Sequence, residues 1–235
     1  MVGVLGMRRH LWIRALLGLI PLLGLIGCSS GNEVVPLEVQ LIRAGQDVAA
    51  RPRGKAPERP ALRRTDLDPL EGSFMEVTLE RAERLAYLFV NDQRQDDSPG
   101  RIMIWRSEDN VTMTTRNGML IATRGLGGDI LSSTVQVQGN LPGPATGGEH
   151  TQVIRALDNG KVRLTMACDL TDLGPETIEI VERKHATRHL QQRCNGTDGG
   201  IINDYWVDFG NGLVMQSRQW AGPQIGYMRF RRLTY

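Results

Sequence analysis

Three Asn-Gly dipeptides, Asn117-Gly118, Asn159-Gly160 and Asn211-Gly212, each sit between runs in which apolar and polar residues alternate. Asn-Gly takes up the left-handed backbone that a two-residue antiparallel turn requires, so each one marks a β-hairpin. The alternation is not confined to these places. It recurs at residues 74–79, 84–90, 101–106, 110–115, 119–124, 133–138, 151–157, 161–168, 177–181, 187–194, 204–209, 213–219 and 227–233, with Gly, Asn and Asp between the runs. Only residues 76–89 also carry helix-like stretches. Strands alternating with long helices, the mark of an α/β fold, are absent, and so are repeats of fixed period. The expected fold is all-β: about eleven or twelve strands in one antiparallel β-barrel or barrel-like sandwich, spanning residues 67–235.

The first 28 residues set the expected compartment. Arg8, Arg9 and Arg14 precede an apolar run over residues 15–26, too short for a permanent membrane span but suited to a secretory signal core. Met7 is an alternative start, and the residues flanking Arg8-Arg9 fit twin-arginine export poorly. The run ends Leu25-Ile26-Gly27-Cys28, which is similar to the lipobox of bacterial lipoproteins. That chemistry needs a thiol after the cut to form a thioether to diacylglycerol, a small residue before it, and an aliphatic residue three places back. Cys28, Gly27 and Leu25 meet those requirements. Several acyl chains, each stabilised by about 0.8 kcal/mol per buried methylene, hold a protein firmly at a bilayer. The expected organisation is a signal peptide at 1–27, a lipid anchor and tether at 28–66, and the β domain at 67–235. Ser29 rather than Asp after the cysteine implies, by analogy with such lipoproteins, the periplasmic face of the outer membrane.

The tether is rich in Pro and Arg. Residues 46–64 hold Pro52, Pro57 and Pro60 with six basic side chains against Asp47 and Glu58, a composition that buries too little apolar surface to order itself. Its expected role is a spacer, with contact to anionic lipid or acidic polysaccharide as a further possibility. Without residues 1–27 the chain carries 25 basic against 26 acidic side chains, about −1, so no global field draws it to nucleic acid. Once Cys28 is acylated, Cys168 and Cys194 remain. In an oxidising compartment a disulfide between them is expected, worth on the order of 3 kcal/mol in the chain-entropy model. Two free thiols, or a metal pair helped by His185 and His189, are the alternatives, though no CxxC is present.

Catalytic signatures are sparse. The chain has no GxSxG elbow, no HExxH helix and no P-loop, and Gly125-Leu126-Gly127-Gly128 lacks the following Lys-Ser/Thr. His150, in a glycine-rich stretch, is expected to be a solvent-exposed loop residue without a role. Asp66, Asp68, Asp96, Asp97, Asp198 and Asp204 read as loop carboxylates from which a hydrolytic pair would have to be drawn. The more informative cluster is C-terminal. Trp206 and Trp220, with Arg218 between them, are a candidate ligand-binding set in which indoles stack on sugar rings and the guanidinium binds hydroxyls or carboxylates. Core or cross-strand packing is the competing role for both tryptophans. Arg229, Arg231 and Arg232 read as a solvated strand face.

These residues, taken in order, resemble a known family. The lipobox ending at Cys28 is followed by Arg116-Asn117-Gly118-Met119-Leu120-Ile121-Ala122-Thr123-Arg124-Gly125-Leu126 and by Cys168 ahead of Gly174-Pro175-Glu176-Thr177-Ile178. Then come Cys194 after a basic strand, Asn203-Asp204-Tyr205-Trp206-Val207-Asp208, and Ser217-Arg218-Gln219-Trp220-Ala221-Gly222-Pro223. The sequence resembles the YjbF/GfcB family of lipoproteins of group 4 capsule and exopolysaccharide production. Met119 departs from the basic residue common there. The resemblance implies an outer-membrane lipoprotein with a barrel-like β fold, polysaccharide-secretion partners, no cofactor and no transferable enzymatic activity. The expected function is therefore a non-enzymatic accessory factor that binds glycan or export proteins. A periplasmic glycan hydrolase or lyase is the rival, and an envelope-assembly chaperone holding acyl chains inside an apolar barrel is a third reading.

Overall fold

A computed structural model describes residues 62–139, 141–145, 147–156, 158–197 and 199–235. The expected signal peptide, Cys28, the tether up to residue 61, and Asp198 lie outside the described residues. A single helical turn, α1 (Arg64–Leu67), precedes twelve strands: β1 (Phe74–Leu79), β2 (Arg84–Arg94), β3 (Ile102–Arg106), β4 (Thr112–Arg116), β5 (Met119–Arg124), β6 (Ile130–Thr134), β7 (Gly148–Arg155), β8 (Lys161–Ile180), β9 (Arg183–Gly196), β10 (Gly199–Asp208), β11 (Val214–Trp220) and β12 (Tyr227–Arg232). All pair antiparallel in one sheet of order β5-β4-β3-β2-β1-β12-β11-β10-β9-β8-β7-β6, which curls into a nearly closed barrel. The fold is all-β, as the alternation implies. Among the described residues, no helix is long and apolar enough to cross a membrane.

The three Asn-Gly turns join β4 to β5, β7 to β8 and β10 to β11. Asn117 and Gly118 both have positive φ, at 48° and 85°, as a tight hairpin demands. Gly118 is needed for a second reason: a Cβ there would meet Val214 Cγ2 at 2.4 Å, so this turn lies hard against β11. Residues 76–89 resolve as two strands about a turn at Glu83, whose φ is 50°.

The seam between β5 and β6 lacks a backbone ladder and is closed by side chains. At one rim, Thr123 Oγ1 donates to Asp129 at 3.0 Å and accepts from the Ile130 N–H at 3.0 Å. At the other, Asn117 Nδ2 donates to the carbonyls of Gly139 (3.2 Å) and Leu141 (2.7 Å). Between them Gln219 reaches from β11 across the interior. Its Oε1 accepts from the Leu120 N–H (2.8 Å) and its Nε2 donates to the Gly118 carbonyl (2.9 Å). The amide thereby stands in for a missing strand neighbour, satisfying buried backbone groups that would otherwise be costly.

The interior is filled. Val77, Leu88, Trp105, Met113, Met228 and Phe230 pack one half, with the Trp105 N–H donating to Thr115 at 3.1 Å. Met166, Cys168, Cys194 and Ile201 pack elsewhere around the Cys168–Cys194 disulfide, which joins residues directly opposite in the β8–β9 ladder. Both sulfurs are thus consumed, which removes the free-thiol and metal-pair alternatives.

Strand β8 departs from the sequence expectation, in which Gly174-Pro175 separates two strands. It runs unbroken for 20 residues, with a bulge between Asp172 and Gly174. β7 pairs with β8 only up to Cys168, so beyond that point β8 has a free edge where a proline's missing N–H is tolerated. The bulge inserts Leu173 and reverses the alternation. Cys168 points inward with Cys194, whereas Ile178 and Ile180 point to the outer face, opposite His185 and Arg183. There they are covered by Leu67 of α1, Met215 and Leu233. Arg64 fixes this cover by donating from its backbone to Glu182 (3.0 Å) and from its guanidinium to the Leu233 carbonyl (3.2 Å). α1, the C-terminal residues and the β4–β5, β8–β9 and β10–β11 turns all lie at one rim of the barrel, here called the α1 rim.

Two expectations about polar residues are corrected. His150 is not a loop residue: it lies in β7 and is 6% exposed, opposite the buried Met166. Nor do Arg229, Arg231 and Arg232 share a solvated face. Strand alternation sends Arg229 and Arg231 outward and turns Arg232 into the interior with Phe230 two residues before it on the same side.

Candidate functional site

Along β10, the buried Tyr205 and Asn203 face inward, so Asp204 and Trp206 face out. Along β11, buried Ser217 and Gln219 set Gln216 and Arg218 on the outer side. The ladder places Trp206 opposite Gln216 and Asp204 opposite Arg218. Trp206 and Arg218 therefore occupy the outward side of one strand pair, both partly buried.

Each is held by the chain itself. The Trp206 indole N–H donates to Glu176 Oε2 at 2.8 Å, and its ring stacks on His189 at 4.4 Å between centroids with 17° between planes. His189 in turn bridges two carboxylates, with Nδ1 3.0 Å from Glu176 and Nε2 3.0 Å from Asp204. Gln191 also donates to Asp204, at 3.1 Å. Arg218 grips both oxygens of Glu80 at 2.8–3.0 Å and lies 3.6 Å over the Tyr227 ring. Arg229 reaches the same carboxylate at 3.2 Å. The hydrogen bond from Arg218, aided by the charges of both arginines, holds the Glu80 carboxyl below its ordinary range. Trp220, further along β11, packs against the cluster around the disulfide, and its backbone N–H donates to Asn203 at 2.8 Å. Trp206 and Arg218 are thus near neighbours on the sheet, whereas Trp220 belongs to a separate packing cluster.

Of the other carboxylates singled out in the sequence, Asp66, Asp68 and Asp96 also have partners in the chain. Asp66 accepts from the Arg63 N–H at 2.9 Å at the start of α1, and Asp68 pairs with Arg64 at 3.2 Å. Asp96 accepts two bonds from Arg116, which hold its pKa at about 2. Asp204 lies in a strand, not a loop. The described residues contain no group of His, Cys, Asp and Glu arranged to hold a metal ion.

Two of the cavities among the described residues lie at opposite rims of the barrel. At the rim opposite α1, a pocket of about 300 Å³ is lined mainly by apolar side chains, among them Leu79, Leu85, Val111, Leu126 and Ile225. Gln224 also borders it, and its Oε1 is buried with no hydrogen-bond partner. Arg81 pins the loop that carries Gln224 by donating to the Pro223 and Gln224 carbonyls, the latter at 3.0 Å. The second cavity, at the α1 rim, has walls of mixed character, apolar Met103, Pro142 and Leu213 beside polar side chains that include Arg232. The sequence reading places Arg232 on a solvated face with Arg229 and Arg231. The signal that would have found it is the inward parity of its strand position.

The family model described as group 4 capsule polysaccharide lipoprotein gfcB, YjbF, matches residues 45–233. The chain belongs to this family. It is 30% identical over 165 residues to the uncharacterized lipoprotein GfcB of Escherichia coli K12, covering 68% of this chain and 74% of that protein. Among solved structures it is similar to the hypothetical lipoprotein YmcC of Escherichia coli K12, with a TM-score of 0.64 and 22% identity over 84% of this chain and 95% of the other. That likeness bears on the fold. Neither relative's name states an enzymatic activity.

Proposed function

We propose that this capsule-family lipoprotein is a non-enzymatic accessory factor in capsule or exopolysaccharide secretion. On this reading, residues 1–27 are removed as a signal peptide and acylated Cys28 holds the protein at the periplasmic face of the outer membrane. Residues 28–66 then tether the β domain that begins at residue 67. Its outer β10–β11 face, with Trp206 and Arg218, contacts the glycan or a polysaccharide-export protein. One observation carries the reading: Trp206 and Arg218 lie at diagonal positions of the β10–β11 ladder on the outside of the barrel, and each is fixed in place by partners in the chain. A pre-positioned indole and guanidinium lose little freedom on binding, which favours recognition of a sugar ring and its oxygens.

The test is a titration of the full chain in detergent micelles with neutral and acidic oligosaccharides, followed by tryptophan emission. A saturable change without release of reducing ends is expected. A flat response to every oligosaccharide contradicts glycan binding, and new reducing ends contradict the non-enzymatic role.

The apolar pocket of about 300 Å³, whose walls include the core side chains Val77, Leu88 and Met113, favours a second reading, an acyl-chain site at that rim. Displacement of a fluorescent fatty acid, lost on Leu126→Trp, would support it.

A further inference from the structure

Arg232 is 8% exposed, and its environment holds no counter-ion. A guanidinium taken out of water needs a carboxylate or several hydrogen bonds to offset lost hydration. Among the described residues Arg232 makes one hydrogen bond, from Nε to the Val214 carbonyl at a long 3.4 Å, and no ion pair. Its Cζ stands 5.1 Å from the Trp105 ring centroid, a contact that offsets only part of the cost. Burial lowers its pKa to about 10, so it remains charged at neutral pH. Its neighbour Arg231, facing outward, has Glu76 at 2.8 Å.

The cavity beside Arg232 is about 430 Å³, within the range of small-molecule sites and far larger than one simple oxyanion needs. It is bounded by the Asn117-Gly118 and Asn211-Gly212 turns, and its walls include a second guanidinium, Arg101, with the polar Gln93 and the exposed ring of Tyr235. No Asp or Glu side chain is among its lining residues. Asn117 is already committed: its Oδ1 accepts from the Arg101 N–H at 2.9 Å and its amide holds the seam.

We propose that this cavity binds the carboxylate of an acidic saccharide, a uronate, between Arg232 and Arg101, with its amides and the Tyr235 ring meeting the sugar's hydroxyls and face. The fork of a guanidinium matches a carboxylate in two parallel hydrogen bonds. The class of ligand rests on the capsule-glycan reading above; the site does not, since it lies apart from the β10–β11 face.

Calorimetric titration of the full chain in detergent micelles with a uronate trisaccharide, a neutral trisaccharide and inorganic phosphate tests this. The uronate is expected to bind more tightly than either of the others. Arg232→Met should weaken uronate binding roughly tenfold or more, and Arg101→Gln roughly threefold. Arg163→Gln, an equal change of charge at an exposed position, should leave it unchanged. If Arg232→Met does not fold, the exposed Arg101→Gln and Arg101→Glu carry the test, with Arg101→Glu the more damaging. Uronate binding that none of these variants weakens overturns the site and leaves the glycan reading standing. Phosphate or the neutral sugar binding as tightly as the uronate overturns the ligand class. No binding by either trisaccharide overturns both.

Discussion

Arg231 and Arg232 are adjacent in β12, yet they stand in opposite electrostatic surroundings. On the outer face, Arg231 has Glu76, and Arg218 and Arg229 share Glu80. Inside, polar groups are handled in three ways: Gln219 is fully hydrogen-bonded, His150 is kept neutral by burial, and Arg232 remains charged without a counter-ion. On the outer face the guanidinium groups of Arg218, Arg229 and Arg231 each have a carboxylate. The charge imbalance that a ligand would correct lies at the α1 rim.

The largest effect should come from the satisfied interior. Gln219→Leu strands the Leu120 N–H and the Gly118 carbonyl and removes the acceptor 3.3 Å from the Tyr205 hydroxyl. A loss of about 3 kcal/mol is expected in chemical denaturation. An unchanged midpoint would mean that the seam does not depend on this amide.

His150 should give a similar change through pH. Burial lowers its pKa from 6.5 to about 4, so below pH 6.5 the unfolded chain binds a proton that the folded chain does not. The stability it contributes is complete above pH 6.5 and is lost as pH falls toward about 4, by roughly 3 kcal/mol in all. In His150→Gln, denaturation profiles over that window should be flatter. An equally steep profile would assign the acid sensitivity elsewhere.

Glu80→Gln leaves Arg218 and Arg229 without their shared carboxylate and should cost about 1 kcal/mol at low salt, less as salt rises. Arg232→Met should have the smallest effect and the opposite sign, a gain of about 0.5 kcal/mol, because it removes a buried charge with no partner. A clear loss of thermal stability in that variant would make Arg232 a structural residue and erase the contrast between the two faces.

Much of this arrangement was legible in the sequence, and the misses have physical causes. Asn117, Asn159 and Asn211 marked real hairpins because their turn chemistry is local. The sequence picked out Trp206 and Arg218 but left their orientation open; the inward Tyr205 and Ser217 beside them settle the outer face. Their partners were not legible, since Glu176 and Glu80 lie 30 and 138 residues away and meet them only through the sheet order. Gly174-Pro175 read as a strand break because the free edge of β8 depends on where β7 ends. Arg232 was grouped with Arg229 and Arg231 by composition, where strand parity separates them. The leader, Cys28 and the tether remain a sequence-level proposal.

Amide hydrogen exchange of the full chain, with and without an acidic oligosaccharide, tests the account most directly. Protection at the Asn117-Gly118 and Asn211-Gly212 turns beside Arg232 is the predicted result. Protection at neither these turns nor β10 and β11 around Trp206 would contradict it.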